Sequence, residues 1–117
     1  MARPHIEPFV ETNVPWKKMT LPGFGKGMRY KMLSLDTDTG ACSMKVLLEP
    51  GYRQPPGMSY SEMEMFVLSG SVAVGEQVHG PGYYFFVPAG VAMPALTSSR
   101  GAQLIMFYNY GEPSFVE

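Results

Sequence analysis

Few residues of this chain are of types that do chemistry, and they are scattered. There is one cysteine, Cys42, and there are two histidines, His5 and His79. A single thiol makes neither an intramolecular disulfide nor a cysteine-based zinc cluster. In a small domain without staples it fits a reducing interior. His79 stands just before the turn Gly80-Pro81-Gly82, and His5 lies in a proline-containing N-terminal stretch, so both read as solvated. Carboxylates suited to proton transfer flank Met63 as Glu62 and Glu64. Strand alternation points both away from the face of Met63 unless a bulge turns one inward. Arg53 could anchor a carboxylate or enolate oxygen through its guanidinium, and Tyr60 could orient a ligand by its hydroxyl. Glu64, Tyr60 and Arg53 are therefore the candidate catalytic groups.

The abundant chemistry is soft. The chain carries 10 methionines in 117 residues, and thioethers are flexible, polarisable and suited to irregular apolar or aromatic surfaces. Together with Cys42 they also suggest Cu(I), which prefers sulfur. However, no Met-x-Met pair with a supporting histidine stands beside the cysteine.

The elements that must position these residues are strands. Residues 1–27 are rich in proline and glycine and end in Leu21-Pro22-Gly23-Phe24-Gly25-Lys26-Gly27, a segment that cannot hold a long helix. From Met28 onward, short apolar or alternating runs are separated by turn signals, the pattern of an all-β sandwich or barrel. Met28 to Leu35 and Ala41 to Leu48 flank Asp36-Thr37-Asp38-Thr39-Gly40 and read as a hairpin. Met63 to Leu68, Ser71 to Val74, Tyr83 to Val87 and Ala102 to Tyr110 supply further strands. No window of helical periodicity appears. The expected organisation is an N-terminal arm, 1–27, packing on the barrel or on a neighbouring subunit, followed by one barrel domain, 28–117.

Composition excludes several functions. A net charge of −1 and a sequence pI of about 6.1 argue against nucleic-acid or polybasic membrane binding. The first residues lack the apolar stretch of a signal peptide, and no apolar run approaches the roughly 20 residues that span a bilayer, so a cytoplasmic location is the expectation. There is no Ser-His-Asp order and no phosphate-cradling glycine loop before a helix.

Two spaced patterns resemble the paired motifs of the cupin superfamily. Gly51 is followed by five residues to Gly57, then Met58 and Ser59, three residues to Met63 and six to Gly70. Gly82 is followed by five residues to Pro88, then Ala89 and Gly90, and two residues to Met93. Val14-Pro15-Trp16 and Leu48-Glu49-Pro50-Gly51 add a likeness to small single-domain cupins of the ChrR-like and acetylacetone-cleaving dioxygenase type. The resemblance implies an all-β cupin jelly roll. It also implies that Gly57, Ser59, Met63 and Met93 occupy positions where metal-bearing members place His, His, Glu and His. None of those donors is present here, so the expectation is a barrel with no cofactor and no metal.

In place of the metal, Met63, Met65, Met93, Ser59, Met44, Met106 and Tyr108 are expected to line an apolar pocket for a small apolar or aromatic molecule, with aromatics of the Tyr83–Phe86 run contributing. The alternative is that the methionines fill the barrel as core. Three functions stay open: a small-molecule binder or sensor, a metal-independent isomerase, cyclase or lyase on a small carbonyl compound, and a dioxygenase with non-standard ligands. A homodimer is expected, because arms and sheet edges invite pairing.

Overall fold

The computed structural model describes residues 3–111 and 113–116. A 3-10 turn, Glu11–Asn13, and β1, Lys17–Lys18, precede the hairpin of β2, Met28–Leu35, and β3, Cys42–Leu48. Then follow β4, Tyr52–Gln54; β5, Met63–Gly70; β6, Val72–Val74; and β7, Gln77–His79. The chain ends its strands with β8, Tyr84–Val87; β9, Leu96–Ser98; and β10, Ala102–Tyr108. A six-stranded antiparallel sheet runs β1-β2-β3-β10-β5-β8, and a four-stranded one runs β4-β9-β6-β7. The two enclose one core. This is the all-β jelly roll that the turn spacing and the paired motifs predict. Among the described residues no helix is long and apolar enough to cross a membrane.

The central strands show why the sequence folds this way. Burial alternates strictly along β3 and β10, the period-two signature of strands with one face in the core. Cross-strand register then stacks like residues into rows. Met32 faces Met44, Met44 faces Met106, Met106 faces Met65, and Met65 faces Phe85. The next row runs Leu35, Cys42, Tyr108, Met63 and Val87. Directly opposed side chains are the unit of sheet stabilisation, so much of the methionine excess belongs to a single inner row of the larger sheet. Short strands in turn-rich stretches, β1, β4, β7 and β9, carry too little pattern to stand out in the sequence.

The opposite, outer face of β2 and β3 brings Lys31 and Lys45 directly across from each other, an arrangement that is destabilising on its own. Residues of the N-terminal stretch resolve it. Glu11 accepts a hydrogen bond from each ammonium, both at 2.7 Å, and its backbone carbonyl accepts another from Lys31 at 3.1 Å. Trp16 presents its ring 4.6 Å from Lys31 Nζ and 6.0 Å from Lys45 Nζ, within cation–π range. Arg3 donates to Ser34 Oγ at 2.9 Å and to Ser43 Oγ at 2.8 Å. The described part of the stretch therefore lies across this chain's own sheet, and its Lys17–Lys18 pairs with Arg29 and Tyr30.

Candidate functional site

The loop between β4 and β5 carries Gly57 and Ser59, and the loop after β8 carries Pro88, Gly90 and Met93. The structure stitches these loops together through the backbone. Gly57 N–H donates to Met93 O at 3.1 Å, Met93 N–H donates to Gly57 O at 2.7 Å, and Gly90 N–H donates to Ser59 O at 2.8 Å. Met63 opens β5 on the inner face, opposite Tyr108 on one side and Val87 on the other. The four positions singled out by motif spacing thus converge at one end of the barrel.

Ser59, Met63, Met65, Met93, Met106 and Tyr108 surround one space there, joined by Met28, Gln54, Phe24 and Phe115. Met44 is fully buried but lines a different cleft of about 420 Å³, with Met19 and Met32 and the 36–40 turn. The space at the convergence measures about 10 Å³. One water needs about that much, whereas ligand pockets run to hundreds of cubic ångströms. In this structure the thioethers, long and unbranched, fold into the centre and leave it little free space.

The polar groups of the centre are few and held. Tyr52 donates its hydroxyl to Gln54 Oε1 at 2.7 Å and accepts from Gly25 N–H at 3.1 Å. Ser59 Oγ accepts from Ser61 N–H at 3.0 Å. Burial pushes Tyr52 up to about 12 and Cys42 up to about 11, and it raises Tyr108 as well. The phenols and the thiol are therefore neutral at physiological pH, and Cys42 is not an activated nucleophile.

The candidate catalytic groups face elsewhere. Glu64 is on the outer side of β5, where its carboxylate accepts from Tyr84 OH and from Asn109 Nδ2, each at 2.7 Å. Those bonds hold its pKa below the usual range, the opposite of a poised general acid. Arg53 points out from β4, and Tyr60 is 67% exposed. None of the three lines the barrel centre, because each occupies the outward register of its strand or an open loop. His79 packs against Tyr83, with ring centroids 4.8 Å apart, and His5 pairs with Glu7 at the surface. Phe24, Met28, Gln54 and Phe115 also line the centre, and no motif in the sequence marks them. Phe115 is the hardest to foresee, since it sits in no periodic run. A glycine at 57 where the motif calls for a side chain was the available hint of a close approach.

Residues 10–112 match the ChrR cupin-like domain. The chain belongs to the ChrR-like cupin family. A protein from Nostoc punctiforme proposed to be a dioxygenase superposes with a TM-score of 0.84 at 24% identity, covering 92% of this chain and 40% of that one. This cupin thus spans well under half of that protein. The polyketide cyclase RemF of Streptomyces resistomycificus gives a TM-score of 0.77 at 20% identity over 95% of this chain and 84% of that one. An acetylacetone dioxygenase of Acinetobacter johnsonii gives 0.72 at 12% identity over 97% and 85%. At such identities the likeness establishes the fold. No curated protein matches the sequence.

The cupin metal position can be tested on the donors. Iron, manganese, zinc and nickel in such sites need imidazole nitrogen and carboxylate oxygen. The converging residues here are a glycine, a hydroxyl and two thioethers. Among the described residues no three His, Cys, Asp or Glu stand together as a metal cluster. The residues of this cupin do not fit the family's ion.

Proposed function

We propose that this ChrR-like cupin is a metal-independent binder of a small apolar or aromatic molecule, and that the Met-walled barrel centre is its site. The observation that carries the reading is the content of the centre. Met28, Met63, Met65, Met93 and Met106 line one space together with two aromatic rings, Phe24 and Phe115, so thioethers and rings meet where metal-bearing cupins place ligands. Met–aromatic contacts are favourable and tolerant of shape. The test is metal analysis of protein purified without added metal, combined with calorimetric titration with an aromatic solute. Substoichiometric transition metal with saturable binding supports the reading; stoichiometric iron, manganese, zinc or nickel overturns it.

A second reading, an isomerase, cyclase or lyase on a small carbonyl compound, draws support from Tyr108, a phenol kept protonated by burial that reaches the centre. A neutral phenol can donate to a carbonyl oxygen. Tyr108→Phe abolishing any turnover found, with binding retained, favours this reading over simple binding. Association of two copies is a further element of the proposal. Phe66, Leu68, Tyr84 and Phe86 are exposed on β5 and the edge strand β8, and Ile6, Phe9 and Val10 are exposed on the N-terminal stretch. Sedimentation of the purified chain reads the state directly, and a monomer at all concentrations removes this element.

A further inference from the structure

Segment 113–116 crosses the mouth of the barrel without joining either sheet. Met58 N–H donates to Val116 O and Val116 N–H donates to Met58 O, both at 2.7 Å, as an isolated bridge. Ser114 Oγ accepts from Tyr60 N–H at 3.1 Å and lies 3.4 Å from Ser59 Oγ. Between these ties the Phe115 ring turns inward to 6% exposure, its centroid 6.2 Å from that of Phe24.

The seat is built from two glycines. A Cβ at Gly57 would collide with the carbonyl of Val116 and lie 2.6 and 2.8 Å from Phe115 Cε2 and Cζ. A Cβ at Gly23 would collide with the carbonyl of Phe115. Gly57 has no positive φ, so space alone requires glycine there. A side chain at 57 and a seated segment 113–116 exclude each other, and that includes the imidazole implied for this position by the cupin resemblance.

We propose that the barrel centre is a site for a single aromatic ring bearing one hydroxyl or carbonyl group, and that segment 113–116 is its built-in competitor, with Phe115 in the ring's place and Ser114 in the polar group's. This rests on reading the centre as an apolar small-molecule site, and it adds what closes that site and what the ligand looks like. When the segment leaves, a ring-sized space opens beside Phe24 on the wall of the Met-lined centre. Ser59 Oγ and the Tyr60 N–H are then left for a substituent. Ligand and segment cannot be seated together, so apparent affinity falls by the fraction of molecules in which the segment is out.

The probe is p-cresol, titrated by calorimetry into the wild-type chain and into Phe115→Ala, alongside amide hydrogen exchange on both and on Gly57→Ala. The open form is a minor state, populated at roughly 0.1–10%. Phe115→Ala is accordingly expected to bind p-cresol about 10- to 1,000-fold more tightly than the wild type. In the wild type, the Met58 and Val116 amides are expected to exchange well before those of β3 and β10, and Gly57→Ala is expected to strip their remaining protection. Equal binding by wild type and Phe115→Ala leaves the apolar-site reading standing and overturns the competitor. No binding by either protein overturns both. Exchange at Met58 and Val116 as slow as in the core also overturns the competitor, and it is read on the wild type, so it holds even if Phe115→Ala fails to fold. Unchanged protection in Gly57→Ala removes the glycine seat from the argument.

Discussion

The two faces of the larger sheet, one strand thickness apart, have opposite chemistry. Outside, on β2 and β3, two directly opposed lysines are clasped by Glu11 and roofed by Trp16. Among the described residues the buried charged side chain is Lys31, 5% exposed, and it lies there. Inside, the row Met32, Met44, Met106 and Met65 presents only thioethers, and the end of the barrel where cupins concentrate charge is packed with methionine and phenylalanine. Among the described residues, a cluster of charge formed by Glu11, Lys31 and Lys45 sits on the far side of the sheet and fastens the N-terminal stretch. Backbone geometry and side-chain chemistry are separable here because strand alternation assigns adjacent residues to opposite environments.

Returning a carboxylate to the inside is the hardest test of that contrast. Met63→Glu places an ionisable group at a position that is 4% exposed, with no cation among its neighbours. Burial alone raises such a carboxyl by about 3–5 pH units, which corresponds to about 4–7 kcal/mol of lost stability while it is ionised. Because the folded pKa is raised, stability recovers as pH falls and the group takes up its proton. Urea titrations at several pH values read this, and a variant as stable as the wild type at neutral pH would mean that water reaches the centre. Met106→Ala is the next largest effect. Deleting a fully buried thioether from a centre with only about 10 Å³ to spare is expected to cost about 2–5 kcal/mol in urea denaturation. A loss below about 1 kcal/mol would point to a loosely packed interior.

These contrasts also explain what could be read in advance. Glycine and proline at fixed offsets, Gly51 to Gly70 and Gly82 to Gly90, specify loops, and the loops specify the jelly roll. Alternation put Met63, Met65 and Val67 on one face and Glu64, Phe66 and Leu68 on the other, as the structure has them. Whether methionines line a space or fill it depends on rotamers, which composition does not encode. Phe115 reaches the centre beside Gly23, Phe24 and Gly57, dozens of residues away in the chain, so no local pattern announces it. The Glu11 clasp is invisible for the same reason: it joins a residue in a patternless stretch to a cross-strand pair.

The outer clasp gives a smaller effect with a defined pH signature. The two lysine hydrogen bonds hold the Glu11 carboxyl below its usual value. A depressed carboxylate pKa contributes stability above the unfolded value, and that contribution is lost as pH falls through the folded one. Wild type and Glu11→Gln should therefore differ most in Tm near neutrality, with the gap beginning to close as pH falls below the ordinary glutamate value of about 4.3 and vanishing once the folded carboxyl is protonated. The gap should narrow also in high salt. A gap that does not change with pH would assign Glu11 a packing role only.

Cys42 offers the mildest probe, because it changes nothing in the sequence. Its side chain sits in the inner row beside Tyr108, fully buried, with its thiol raised to about 11. At pH 8 about 0.1% of such a thiol is ionised, against roughly a quarter of a free one, and alkylation consumes the thiolate. Iodoacetamide should leave the native chain unmodified over hours and label it promptly in denaturant. Met106→Ala, which loosens the adjacent row, should give an intermediate rate that tracks the population of the opened state. Native labelling at the free-thiol rate would mean that the inner face is wet, and then the charge outside and the thioethers inside would no longer mark two different solvents.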